Sequence, residues 1–141
     1  FKRVINPKIE YTPWDWAIYP EGLYEGMKRI RKRYGDIPIM ITENGLGDKD
    51  PIGENGEILD YPRIQYLREH IHWCKRAIDD GVNLIGYFAW SFIDLLSWLN
   101  GYQKQYGFVY VDRQKGLKRI KKQSYFWYRK LIQTNGEELQ G

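Results

Sequence analysis

Ile37-Pro38-Ile39-Met40-Ile41-Thr42-Glu43-Asn44-Gly45 is a short apolar run that ends on a carboxylate and a turn signal. Its length and near-continuous apolarity predict a strand over 37–42 buried on both faces, as in a parallel sheet. Pro38 fits only near the start of such a strand, where a missing N–H is tolerated. A second run of the same kind, Val82-Asn83-Leu84-Ile85-Gly86-Tyr87-Phe88-Ala89, follows some forty residues later. Between them, from Pro62, the residues Ile64, Leu67, Ile71, Cys74 and Ile78 recur at steps of three and four until Gly81, which predicts a helix. Strand, helix, strand with long loops between is the signature of βα units in a parallel sheet.

Working outward, Pro20 and Glu21 favour a helix start, and Leu23, Met27, Ile30 and Tyr34 continue at helical spacing to a stop at Gly35. Residues 1–16 carry no period and read as an irregular segment. Residues 43–60 and 90–106 read as long loops, 108–111 as a short strand and 124–133 as a last helix. There is no internal repeat, low-complexity tract or interdomain linker. With 141 residues the chain is one domain or a piece of one. A complete eight-stranded barrel takes roughly 250, and a start at Phe1 rather than Met is what a cut piece would have.

Composition excludes more than it selects. Twenty-two Lys plus Arg against eighteen Asp plus Glu give a net charge of +4, a weak basis for a nucleic-acid or membrane partner. The lone Cys74 cannot form an internal disulfide, and Phe1 to Val4 open no signal-peptide core, so a cytoplasmic setting is the default expectation. The informative number is the aromatic share of 16%, with six Trp and twelve Tyr, too many to bury fully in a chain of this size. Some should line a cleft, and flat aromatic faces suit sugar rings, bases or peptides.

Active sites of parallel α/β sheets lie at the carboxyl ends of strands. Glu43 qualifies there, though a solvated Glu opening an Asn-Gly turn is an equal reading of the residues alone. In the second loop, Ser97, Lys104 and Tyr106 bring one cation and several hydroxyls within ten residues, a set suited to a phosphate group. A polar hairpin turning at Asn100-Gly101 is the blander reading, and composition favours it. His70 and His72, two apart on a helix, point to different faces, so no metal site is expected, nor any cofactor. A G-x-S-x-G nucleophile elbow is absent, and no His accompanies Ser91 or Ser97 in a comparable loop.

Ile41-Thr42-Glu43-Asn44-Gly45, Tyr87-Phe88-Ala89-Trp90-Ser91 and Tyr106-Gly107-Phe108-Val109-Tyr110-Val111-Asp112, in that order and spacing, resemble the C-terminal third of a family-one glycoside hydrolase. Trp16, Ile18, Pro20, Gly22 and Leu23, with the closing Ser124, Trp127 and Tyr128, fit the same family. The resemblance implies an α/β fold that is the C-terminal portion of a TIM (β/α)8 barrel, its last two βα units, with residues 1–141 part of a single domain. It implies a retaining β-glycosidase with Glu43 as nucleophile, Trp90 as the floor under the sugar, and a cis Trp90–Ser91 peptide bond.

Ser97 stands before Trp98 where ordinary β-glucosidases of that family carry an acidic residue, so the chain resembles the phospho-glycosidase branch. There Ser97, Lys104 and Tyr106 would grip a 6-phosphate, and an acidic residue at 97 would repel it. Trp98 would meet the hydroxyls that separate glucose from galactose. The expected substrate is a phosphorylated β-linked disaccharide of the cellobiose-6-phosphate type or an aryl β-glucoside. A 6-phospho-β-galactoside is the alternative, and so is a non-catalytic sugar-binding or structural fragment. The Asn-Glu-Pro motif that supplies the family's acid/base is missing, and Asp15, Glu21, Asp60 and Asp94 are given no such role. Other expected partners are the remainder of the barrel or another copy of the chain, covering the edges of the two buried strands.

Overall fold

A computed structural model describes residues 5–139, so Phe1 to Val4 lie outside the described residues. In chain order the elements are β1 (Glu10–Tyr11), β2 (Ala17–Ile18), α1 (Pro20–Tyr34), β3 (Ile39–Asn44), α2 (Tyr61–Asp79), β4 (Leu84–Ala89), β5 (Val109–Asp112), β6 (Lys118–Lys121) and α3 (Gln123–Gln133), then a 3₁₀ turn at Glu137–Leu139. The central unit is the expected one: β3 and β4 pair in parallel, Ile39 opposite Leu84 and Ile41 opposite Tyr87, with α2 as the crossover. Pro20 opens α1, and Gly35 at φ 82° ends it, because a left-handed residue at that position cannot continue the helix.

The core lies between the two strands and the helices α1 and α2. Met27, Ile41, Cys74, Ala77 and Val82 are buried together, with Leu23, Tyr24, Ile39, Leu84 and Tyr87 packed around them. Helix α3 lies on the other flank of α2. At the C-terminal end of α2, Asp80 accepts the Tyr24 hydroxyl at 2.6 Å and the Lys28 ammonium at 3.3 Å, which ties α1 to α2.

Several expectations change. Cover of the strands is incomplete: Met40 and Phe88, on the face of Gly86, stand 47% and 55% exposed, and Ile85 stands 59% exposed. Their apolar character is therefore unmet by any described residue, and among these residues each strand also keeps one unpaired edge. Such edges and faces invite cover by further polypeptide. The helical stripes are also narrower than their sequence period. Ile30, Tyr34 and Ile78 are exposed, while Arg63, His70 and Ala77 take buried places on α2.

The run read as a strand over 108–111 pairs not with the parallel sheet but with β6, Tyr110 opposite Ile120. Gly116 and Leu117, both at φ 61°, help make the turn between them. Residues 1–16 are not wholly irregular, because β1 and β2 form a small antiparallel ladder. The turn that joins them is held by Thr12, whose Oγ1 accepts the Trp14 and Trp16 N–H groups.

Cys74 is 4% exposed, and burial pushes its thiol up to about 12. Since the thiolate is the reactive form, Cys74 should resist iodoacetamide at pH 8 in the folded protein and be alkylated readily in strong denaturant. Mass spectrometry checks this, and rapid labelling of the native protein would contradict the packing described here.

Candidate active site

Strand β3 runs two residues further than its sequence pattern indicates, so Glu43 sits within its last turn of pleat rather than after it. The side chain is exposed, and among the described residues no hydrogen bond or ion pair engages its carboxylate. Its neighbour Asn44 is the anchor. The Asn44 Oδ1 accepts the Tyr87 hydroxyl at 2.6 Å, its Nδ2 donates to the Tyr66 hydroxyl at 3.3 Å, and its carbonyl accepts the Trp90 N–H at 2.7 Å. Burial raises the pKa of both tyrosines, so both hydroxyls stay neutral, Tyr87 as donor to Asn44 and Tyr66 as acceptor from it. The ends of β3 and β4 are thereby locked together, with Glu43 beside the Asn44 that holds Trp90.

Trp90 is 40% exposed, and the Trp90–Ser91 peptide bond is cis, as the resemblance implies. Gly45 is needed here: a Cβ at that position would collide with the Trp90 carbonyl. Behind the bond, Ser91 is buried and its Oγ donates to the Ile93 carbonyl at 2.7 Å.

The loop expected to hold phosphate is partly the hairpin that composition favours. Ser97 and Gly101 exchange backbone hydrogen bonds at 2.8 and 2.9 Å, and Ser97 Oγ accepts the Asn100 N–H at 3.2 Å. Trp98 stands fully exposed at its tip. Lys104 and Tyr106 come together elsewhere, against the first loop, where Asp48 and Gln105 exchange backbone bonds at 2.9 and 2.7 Å. Lys104 is only 1% exposed, its ammonium lying 3.2 Å from the centroid of the Trp16 ring and 5.4 Å from that of Tyr106. Among the described residues its Nζ has no hydrogen-bond partner. Burial lowers its pKa, with Asp48 opposing the shift. The structure thus joins Lys104 to Tyr106, while the Ser97 side chain is engaged within its own turn.

Sequence reading misses the charged cluster behind these loops. Arg63, from the first turn of α2, donates through Nη2 to both oxygens of Asp50 at 2.8 Å and through Nε to Asp60 at 3.0 Å. Its Nη1 reaches the carbonyls of Leu46 and Tyr106. Lys122 donates to Asp50 at 2.5 Å and to Asp94 at 2.7 Å. Asp60 accepts the backbone N–H and the hydroxyl of Ser124. These residues come from distant segments and share no period, so only the tertiary fold assembles them. His70 and His72 do separate, His70 being buried with Nδ1 2.7 Å from the Tyr66 carbonyl and His72 exposed.

A sequence model of glycosyl hydrolase family 1 matches residues 1–137. The aryl-phospho-β-D-glucosidase BglC of Bacillus subtilis is 55% identical over 99% of the chain and 30% of its own length. A 6-phospho-β-galactosidase of Leptotrichia buccalis is 47% identical over 94% of the chain and 28% of its own. Among solved structures, the family 1 β-glucosidase of Thermotoga maritima superimposes with a TM-score of 0.87 at 40% identity, covering 94% of this chain and 30% of that one. The chain therefore spans about 30% of the length of the relatives it matches.

Proposed function

The chain belongs to glycosyl hydrolase family 1, and from that premise we propose that residues 1–141 are the C-terminal part of a single-domain retaining enzyme that hydrolyses 6-phospho-β-glucosides. The fold is a piece of the TIM barrel of that family. The segments β3–α2 and β4–α3 are, in this reading, its last two βα units, with the β5–β6 hairpin inserted after β4. The remainder of the barrel then covers Met40 and Phe88 and pairs with the outer edges of β3 and β4.

The observation that carries the phosphate reading is Lys104, a buried ammonium with no hydrogen-bond partner among the described residues, beside Tyr106. A phosphate dianion supplies the partner that the protein does not. Ser97 is the third phosphate residue of this reading, and Trp98 on the same turn meets the sugar hydroxyls. Substrates of the cellobiose-6-phosphate type, or aryl β-glucosides carrying the phosphate, fit this site, and the name of the Bacillus relative supports them. The Leptotrichia relative keeps 6-phospho-β-galactosides as the second reading.

In the mechanism, Glu43 attacks the anomeric carbon while the aglycone oxygen leaves with a proton from a second carboxyl group. Retaining enzymes hold the two groups about 5–5.5 Å apart. The glycosyl-Glu43 ester is then opened by water, which the second group deprotonates. Trp90 supports the sugar ring from below. The second group comes from the remainder of the barrel, because this chain has no Asn-Glu-Pro motif. Among the described residues no helix is long and apolar enough to cross a membrane, and a cytoplasmic setting fits a phosphorylated substrate.

Three outcomes test the reading. The isolated chain should show background turnover of a nitrophenyl 6-phospho-β-glucoside, since absent acid–base help alone costs about 10²- to 10⁴-fold; turnover like that of a complete enzyme would contradict it. In the complete enzyme, Glu43→Gln should abolish formation of the covalent intermediate and retain substrate binding, checked by calorimetry beside rapid-quench kinetics. Lys104→Ala should remove the preference for phosphorylated over plain substrate, and an unchanged ratio of kcat/KM values would exclude the phosphate role.

A further inference from the structure

Resting on that phosphate reading, we propose that Asp94 and Arg63 are positioning residues for 6-phosphate recognition, acting through the two peptide groups of Tyr106 without touching the ligand. The Oδ1 of Asp94 accepts the N–H of Tyr106 at 3.1 Å and that of Gly107 at 2.8 Å. On the other side, the Tyr106 carbonyl accepts Arg63 Nη1 at 3.0 Å and the Ser91 N–H at 3.1 Å. The residue proposed to meet phosphate is thus gripped fore and aft by buried charged groups, although it lies outside any regular strand or helix.

The grip extends to the catalytic strand. The same guanidinium reaches the carbonyl of Leu46, three residues after Glu43, and the carbonyl of Gln105 at 3.3 Å. Ser91 adds the residue that follows Trp90. Lys122 closes the circuit by bridging Asp94 to Asp50, which holds Arg63 on both oxygens. One connected set of buried charges therefore fixes the phosphate loop relative to the nucleophile strand and the sugar platform. Binding energy from the remote phosphate is useful to the reaction only if that relation is rigid.

The test compares nitrophenyl 6-phospho-β-glucoside with plain nitrophenyl β-glucoside in the complete enzyme. Asp94→Ala removes both acceptor contacts; it should lower the kcat/KM preference for the phosphorylated substrate about tenfold, mainly through its KM, the size expected for losing charge-assisted hydrogen bonds. Asp94→Asn keeps an acceptor oxygen and should restore most of that preference, with a residual drop of about threefold from the lost charge on Lys122. Equal losses on both substrates, as a merely structural lesion gives, would overturn the inference. If the alanine variant does not fold, Asp94→Asn decides alone: a preference change confined to the phosphorylated substrate's KM supports the inference, and no change or an equal loss on both substrates overturns it. Lys104→Ala, run beside them, separates the two levels. An intact preference in that variant sinks the phosphate reading itself, whereas a preference lost there and kept in both Asp94 variants sinks only the positioning role.

Discussion

The loops of this protein are ordered around one guanidinium. Arg63 is 2% exposed and spends its donors on two carboxylates and on carbonyls from both long loops. Neither loop has an extended backbone ladder among the described residues, so beyond isolated bridges such as Asp48–Gln105 and Ser97–Gly101 the backbone polar groups of 43–60 and 90–106 need other partners. A buried charge of this kind is costly to assemble, and removing one partner from such a set typically costs about 3–5 kcal/mol because the survivor stays buried without compensation. The set holds Asp50, Asp60 and Asp94 against Arg63 and Lys122, one carboxylate in excess. Burial raises the pKa of Asp94 against the opposing pull of Lys122, which locates the least comfortable charge at the edge of the set.

Asp60 shows how that constraint spreads into the helices. It precedes α2 but does not cap it; its side chain accepts from Ser124 in the first turn of α3 at 2.9 Å through the backbone N–H. A carboxylate there satisfies an orphan donor and complements the positive end of the α3 dipole. With Arg63 attached to the same carboxylate, the starts of α2 and α3 and the ends of both loops share one junction. The carboxyl ends of β3 and β4 are presented above it.

This division explains what the sequence could disclose. The βαβ unit was legible because Ile39, Ile41, Leu67 and Cys74 obey a local period, and local period is what backbone geometry imposes. Glu43 was legible because it terminates such a run, whereas Trp90 was legible through the family resemblance. The strand β6 was not, since Lys118, Arg119, Ile120 and Lys121 offer only one apolar residue, and pairing with β5 is set by the intervening turn. Arg63 was invisible for a stronger reason. An arginine in a first helical turn ordinarily reads as solvated, and its burial depends on Asp50, Gln105 and Lys122, up to 59 residues away along the chain by their numbering. The exposure of Ile30, Ile78 and Phe88 marks the converse case, apolar positions that the described residues leave uncovered.

Lys104 is where the two kinds of information meet. Its position in a polar-aromatic loop pointed to an anion, yet its ammonium lies on the face of Trp16 with Trp14 5.2 Å away. An aromatic face compensates a cation only in part, by about 0.5–2 kcal/mol, and burial accordingly lowers the affinity of this amine for its proton. Asp48 acts on it only through space; a carboxylate hydrogen-bonded to the ammonium would remove that discomfort and with it the reason to bind a further anion. The cage keeps the cation desolvated and short of partners, so the gain on meeting a dianion is larger than for a lysine already paired or freely hydrated. Trp16, in the turn between β1 and β2, thereby ties the N-terminal hairpin to the loop that carries Lys104, and the aromatic excess of the composition has one of its uses there.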